Sequence, residues 1–234
     1  TAMAQAKADS VPILVISGVN RRASLGKGLG LLHELPDQAA MIRPLCPTRS
    51  LMTAQDLPEV LDWAFASLAT GRPGPVHIEV PTDVMPLPCP ALPAPQTPAR
   101  AALPDLTAAA LALNGARDVV ILAGGGARGH GAALQALAEK LDAPVVQTVN
   151  ARGIMHGHDL TVPASPSLEA VRALVRSAGQ ILAIGTELGP TDYDMYVNGG
   201  WPDVSAMIRV DICAAQLARH PAAQRLEGDA GAVM

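Results

Sequence analysis

Three polar stretches hold the side chains best suited to chemistry. The first is a glycine-rich loop, Ser24-Leu25-Gly26-Lys27-Gly28-Leu29-Gly30-Leu31-Leu32-His33-Glu34. An imidazole titrates near neutrality, so His33 can move protons; a lone loop histidine is as readily a surface or hydrogen-bonded structural residue. In the second, Gly124-Gly125-Gly126-Ala127-Arg128-Gly129 fits G-x-G-x-x-G between an apolar run and a helical pattern. Such glycines let the backbone approach a diphosphate, whose charge the helix N-terminus favours. About twenty residues on, where a ribose-binding acid belongs, the chain has Gln147. Nucleotide binding and a tight strand-to-helix turn therefore both remain open. The third stretch, residues 186–196, carries Glu187, Asp192, Asp194, Tyr193 and Tyr196. Its carboxylates and phenols can pair with a cationic substrate group, or form a solvated loop against a neighbouring subunit.

The elements that must position these residues follow from periodicity. Residues 2–8 read as the end of a helix, and the unbroken apolar run 11–18 as a strand buried on both faces of a parallel sheet. Asp37 can cap a short helix through Arg43, and residues 47–52 form a further strand. Residues 57–68 show helical spacing with Pro58 inside the first turn. Val76, Ile78 and Val80 then make a strand, entered from Gly71-Arg72-Pro73-Gly74-Pro75 and ended by Pro81, which lacks the N–H to continue. Strand–helix–strand order favours a parallel sheet.

Residues 84–104 hold prolines at 86, 88, 90, 93, 95, 98 and 104, which excludes a helix or central strand and marks an extended linker. The pattern then restarts. Helices are expected at 106–113, 132–141 and 168–177, and strands at 118–123, 144–148, 180–185 and 207–212. That alternation reads as an open doubly wound sheet. The fold class is α/β, with two Rossmann-like three-layer domains over 1–85 and 105–234 joined by a linker at 86–104.

The 234 residues are 49% hydrophobic and 16% charged, enough to bury a core and inconsistent with disorder. Aromatics make up 2%, so the core is built from Ala, Val, Leu, Ile and Met. A net charge of −4 without a basic stripe speaks against nucleic acid. Cys46, Cys89 and Cys213 are far apart with no CxxC pair. This favours small buried or half-buried hydrophobes in a reducing cytoplasm over disulfides or zinc. No apolar run is long enough to span a bilayer, so no membrane partner is expected. The chain starts inside a helical pattern without an initiating Met, as a piece of a longer protein would.

Residues 71–84, GRPGPVHIEVPTDV, closely resemble the segment that closes the pyrimidine-binding domain of thiamine-diphosphate (ThDP) enzymes of the acetolactate-synthase type. The resemblance extends over nearly the whole chain. It implies the C-terminal part of a pyrimidine-binding domain followed by the family's central domain, in an enzyme using ThDP and Mg²⁺ on a small 2-oxo acid as a homodimer or homotetramer. The loop ending in His33-Glu34 matches a family loop ending Phe-Gln-Glu, whose Gln approaches the thiamine ring. His33 and Glu34 are thus the implied cofactor neighbours, and His33, in place of Gln, can deliver a proton after decarboxylation. Gly124, Gly125 and Gly126 fall in the central domain, which carries FAD in acetolactate synthase. The family's Gly-Met-His-Gly segment, which helps hold FAD, is replaced here by Thr161-Val162-Pro163-Ala164-Ser165-Pro166-Ser167, and this speaks against the flavin.

Residues 24–34, 186–196 and Val210-Asp211-Ile212 most resemble the 5-guanidino-2-oxopentanoate (2-ketoarginine) decarboxylase branch, which would make Glu187, Asp192 and Asp194 candidates for the substrate guanidinium. An acetolactate synthase-type carboligase with FAD and a non-catalytic nucleotide-binding module over 101–234 are the alternatives. Gly228-Asp229-Ala230-Gly231 departs from the family's Gly-Asp-Gly metal motif and reads as a turn closing the central domain, so no metal ligand is expected here and the Mg²⁺ site lies outside this chain. In the family the Glu that activates the aminopyrimidine lies upstream and the diphosphate domain downstream. Residues 1–234 alone are therefore expected neither to bind ThDP tightly nor to decarboxylate a 2-oxo acid; micromolar ThDP binding by calorimetry would break this domain reading.

Overall fold

The computed structural model describes residues 1–92, 102–193 and 203–234, which belong to two units, Thr1–Ala99 and Arg100–Met234. The first unit contains α1 (Ala2–Ala8), β1 (Ile13–Val19), α2 (Gln38–Ile42), β2 (Thr48–Ser50), α3 (Leu57–Ala69) and β3 (Pro75–Pro81). Its sheet is parallel, in the order β1-β3-β2. Alternation along β3 separates two environments. Val76 and Ile78 pack with Val60 and Ala64 of α3 and with Leu51, Ala54 and Val84. His77 and Glu79, at the intervening positions, are buried as well, at 0% and 6% exposure. In α2, the Asp37 carboxylate accepts the Ala40 N–H at 2.8 Å, as its N-cap position predicts.

One expectation fails in this unit. The apolar run at 11–18 does not give a strand buried on both faces, because Ile16 is 60% exposed. Among the described residues β1 is an end strand with a neighbour on one side only, and hydrophobicity by itself does not distinguish an edge from a centre.

The second unit contains α4 (Thr107–Gly115), β4 (Val119–Ala123), α5 (Gly131–Leu141), β5 (Val145–Gln147), β6 (Thr161–Val162), α6 (Glu169–Ser177), β7 (Gln180–Ile184), α7 (Pro190–Tyr193), β8 (Ile208–Asp211), α8 (Ala214–Ala218), β9 (Gln224–Glu227) and α9 (Ala230–Val233). The six strands are parallel, in the order β6-β5-β4-β7-β8-β9. This is the doubly wound arrangement with its switch between β4 and β7. Both faces are covered. Val119, Ile121 and Ala123 join Leu134 and Ala138 of α5 on one side, while Val120 and Leu122 join Val171 and Val175 of α6 on the other. Two parallel α/β sheets with flanking helices are what the strand–helix alternation predicts.

The short elements escaped the sequence. β6 and β9 offer two and four residues of pattern, too few to count against a template. Gly228-Asp229-Ala230-Gly231 is not simply a closing turn: Asp229 accepts the Ala232 N–H at 3.0 Å and starts α9. Of the proline-rich stretch, 93–101 lie outside the described residues, and 84–92 and 102–106 are turns and irregular chain. Among the described residues no helix is long and apolar enough to cross a membrane.

The glycine triplet has a packing role at the sheet's switch. A Cβ on Gly124 would lie 2.3 Å from the Gly185 carbonyl oxygen, and one on Gly126 2.8 Å from the Gly185 Cα. The Gly126 N–H donates to the Gly185 carbonyl at 3.0 Å, and Gly185 itself has φ +57°. The two chain segments meet backbone to backbone, leaving no room for side chains. Gly124→Ala should therefore cost about 1–3 kcal/mol by overpacking, read as a lower urea midpoint for the unit containing it; an unchanged midpoint would contradict the contact.

Candidate functional site

Residues 20–37 leave the C-terminal end of β1 and return at α2, the end of a parallel sheet where α/β proteins build sites. Bonds at its start, middle and end hold this loop, and Asn20 Nδ2 also donates to the Leu32 carbonyl at 3.4 Å. At its start, the Arg22 backbone N–H and Nε–H donate to Asp83 Oδ1 and Oδ2 at 2.9 and 2.8 Å, and its Nη1 reaches the Met52 carbonyl at 3.0 Å. The Arg22 N–H, then its guanidinium, hold the Asp83 carboxyl below the usual carboxylate range. In the middle, the Glu34 carboxylate accepts the Leu29 and Leu31 N–H groups at 3.0 and 2.9 Å. The Leu31 N–H, followed by that of Leu29, keeps Glu34 ionised below its ordinary range. At its end, Gln38 Nε2 donates toward Ser17 Oγ, Gly18 O and Glu79 Oε2 at 3.0, 3.3 and 3.3 Å.

The third clamp belongs to a buried polar row that the sequence reading missed. Register places Ser17, Glu79 and Ser50 side by side across β1, β3 and β2. Ser50 Oγ donates to Glu79 Oε1 at 2.6 Å, and Ser17 Oγ lies 2.7 Å from His77 Nε2. A charge or imidazole out of water needs such partners. His77 Nδ1 is buried without a hydrogen bond among the described residues, and burial pushes the His77 pKa down, against a smaller opposing effect of Glu79. The available signal was the polar alternation of His77 and Glu79 within an apolar strand; their partners depend on pairing that one strand does not reveal.

His33 sits at the exposed outer part of the loop with φ +56°. That left-handed conformation is uncommon for a residue with a Cβ, though less so for His than for most. Leu29 and Leu32 of the same loop are 58% and 80% exposed. Glu34, the other implied cofactor neighbour, turns its carboxylate back onto its own loop. The structure brings these two together and leaves the remaining candidates in the other unit.

There, Glu187 and Asp192 follow β7. Glu187 Oε2 accepts from Arg219 Nη1 at 3.2 Å, and Asp192 Oδ1 accepts the Val149 N–H at 2.9 Å. Tyr193 is fully buried, its hydroxyl 3.3 Å from Thr186 Oγ1, and burial pushes its pKa far up. Asp194 and Tyr196 lie outside the described residues. Arg209, 1% exposed, donates to the carbonyls of Gln216, Leu217 and Thr186. The carboxylates of Glu187 and Asp192 thus tie their loop to neighbouring segments. Gly124, Gly125 and Gly126 lie at the β4 end of the same sheet, with 124 and 126 set by the contact with Gly185.

A clamped loop over one parallel sheet, followed by a doubly wound six-stranded sheet, defines a class. Residues 106–234 match the thiamine pyrophosphate enzyme central domain, and the chain belongs to the thiamine pyrophosphate enzyme family. Among its relatives it is 39% identical to "Probable 2-ketoarginine decarboxylase AruI" of Pseudomonas aeruginosa, over 98% of this chain and 42% of that one. It is 30% identical to an acetolactate synthase of Mycobacterium leprae, over 100% of this chain and 39% of the relative. The fold matches a candidate thiamin diphosphate-dependent enzyme from Mycobacterium smegmatis with a TM-score of 0.82 at 23% identity, covering 99% of this chain and 46% of that structure. The chain spans about two-fifths of the length of these curated relatives.

Burial of His77 has a consequence with a definite sign. Its folded pKa lies below the unfolded value of about 6.5, so the unfolded chain binds a proton that the folded chain refuses. The stability contributed by neutral His77 is complete above that value and is lost as pH falls below it. Urea midpoints at pH 7.5 and 5.5 should differ more for the wild type than for His77→Asn; equal differences would rule out His77 as the source.

Proposed function

We propose that this chain is part of a ThDP-dependent 2-oxo acid decarboxylase, acting on 5-guanidino-2-oxopentanoate to give 4-guanidinobutanal and CO₂. The observation that carries the reading is an imidazole, His33, presented from a clamped loop at the C-terminal end of a parallel sheet in a thiamine pyrophosphate enzyme. The 39% identity to the Pseudomonas aeruginosa protein supports the substrate class.

The residues present suit the ring end of the cofactor. The loop offers an exposed imidazole together with Leu29 and Leu32. The part proposed for this chain is to bind and flank the cofactor's ring system. When bound, ThDP supplies a nucleophilic carbon and an electron sink for the pair left by departing CO₂. His33 would give a ring-nitrogen proton to the carbon that CO₂ leaves and take one back from solvent, and the aldehyde leaves once its hydroxyl proton is lost. A Gln amide has no proton to give at neutral pH, so His at this position favours protonation over carboligation. Gly124, Gly125 and Gly126 serve packing in this reading, and neither FAD nor another nucleotide is required. Glu187, Asp192 and Asp194 are the carboxylates proposed near the guanidinium end.

A second reading, an acetolactate synthase-type carboligase, is favoured by the relatives of that name. His33→Gln in the full-length enzyme separates the two. Decarboxylation should fall by about 10²-fold, the scale of one general acid, with carboligated product rising in its place. An undiminished rate of aldehyde release, or flavin absorbance with acetolactate formation in the wild type, would defeat the decarboxylase reading.

A further inference from the structure

His33 occupies a backbone position that its own chemistry does not favour. Leu31 through Glu34 form a tight turn, closed by the Glu34 N–H donating to the Leu31 carbonyl at 3.0 Å. His33 is the third residue of that turn, with φ +56°. A β-turn demanding positive φ there ordinarily takes Gly or Asn, and a β-carbon in that region carries strain that surrounding structure must outweigh. The neighbouring glycines at 26, 28 and 30 also have positive φ, between +63° and +71°. A chain with so much freedom has many other conformations available, and each would send the imidazole elsewhere.

The Glu34 side chain removes much of that freedom. It folds back over its own turn, one oxygen taking the Leu31 N–H at 2.9 Å and the other the Leu29 N–H at 3.0 Å. Leu31 and Glu34 therefore exchange two hydrogen bonds, backbone one way and carboxylate the other, with His33 between them. Charge-assisted bonds of this kind outweigh neutral ones, and a carboxylate has the two acceptors the arrangement needs. The ends of the loop are fixed separately, by Arg22–Asp83 and by Gln38; in its middle the latch is joined by Asn20, whose Nδ2 donates to the Leu32 carbonyl at 3.4 Å.

We infer that Glu34 is a positioning residue: its carboxylate latches the turn that holds His33 in its left-handed conformation, and it acts on the reaction through His33, not by contact with cofactor. The part concerning the reaction rests on the decarboxylase reading; the latch does not. The experiment has two arms. In the 234-residue chain, hydrogen exchange resolved by NMR should show the Leu29 and Leu31 amides protected, with protection falling about tenfold in Glu34→Gln. The Ala40 amide, capped by Asp37, should be unaffected. Unchanged exchange at Leu29 and Leu31 overturns the latch. In the full-length enzyme, Glu34→Gln should lower kcat with little change in KM. Joined to His33→Gln it should add nothing further, because both act on one group. Additive losses overturn the route through His33. If the wild type turns over no 2-oxo acid, the decarboxylase reading fails and the role in the reaction fails with it, while the exchange arm still decides the latch.

Discussion

The first unit depends on keeping Glu79 satisfied away from water. A carboxylate that is 6% exposed, beside an imidazole that is fully buried, is costly unless each has hydrogen-bond partners. Those partners come from different segments: Ser50 from β2, Gln38 from the start of α2, and Ser17, which reaches His77, from β1. Sliding any strand by one residue would turn its serine to the opposite face. The polar row thus fixes the register of the sheet and, through Gln38, the point at which the loop carrying His33 must return.

The second unit solves a different problem by a different means. Where its chain reverses direction across the sheet, other doubly wound proteins open a crevice for a ligand. Here the β4 and β7 segments approach so closely that Gly124, Gly126 and Gly185 share the space, joined by the Gly126 N–H donating to the Gly185 carbonyl. A glycine pattern that matches a phosphate-binding fingerprint also serves close packing here, as that fingerprint itself requires. The charged groups nearby are absorbed in the same way: Arg209 is spent on carbonyls, and Asp192 on a backbone N–H.

Much of this was legible in the sequence. Apolar runs and helical stripes at 57–68, 118–123, 132–141 and 180–185 correspond to α3, β4, α5 and β7 to within a few residues, because long periodic segments carry their own evidence. Asp37 declared its cap. The edge position of β1 and the two-residue β6 could not be read, since pairing partners are remote in the chain. For the site, the loop carrying His33 and Glu34 was visible, but not the inward turn of the Glu34 carboxylate, which accompanies positive φ at Gly26, Gly28, Gly30 and His33. His77, Glu79, Ser17, Gln38 and Ser50 were hidden for another reason. Each is unremarkable alone, and register is what assembles them.

The outer margin of β1 carries a further implication. Along that side, among the described residues, the strand's amide and carbonyl groups face no neighbouring strand, and Ile16 stands largely uncovered. An open edge of this sort is completed most simply by another extended segment laid alongside it. Main-chain ladders are indifferent to side-chain identity, so whatever joins there would be admitted by its extended shape before its sequence.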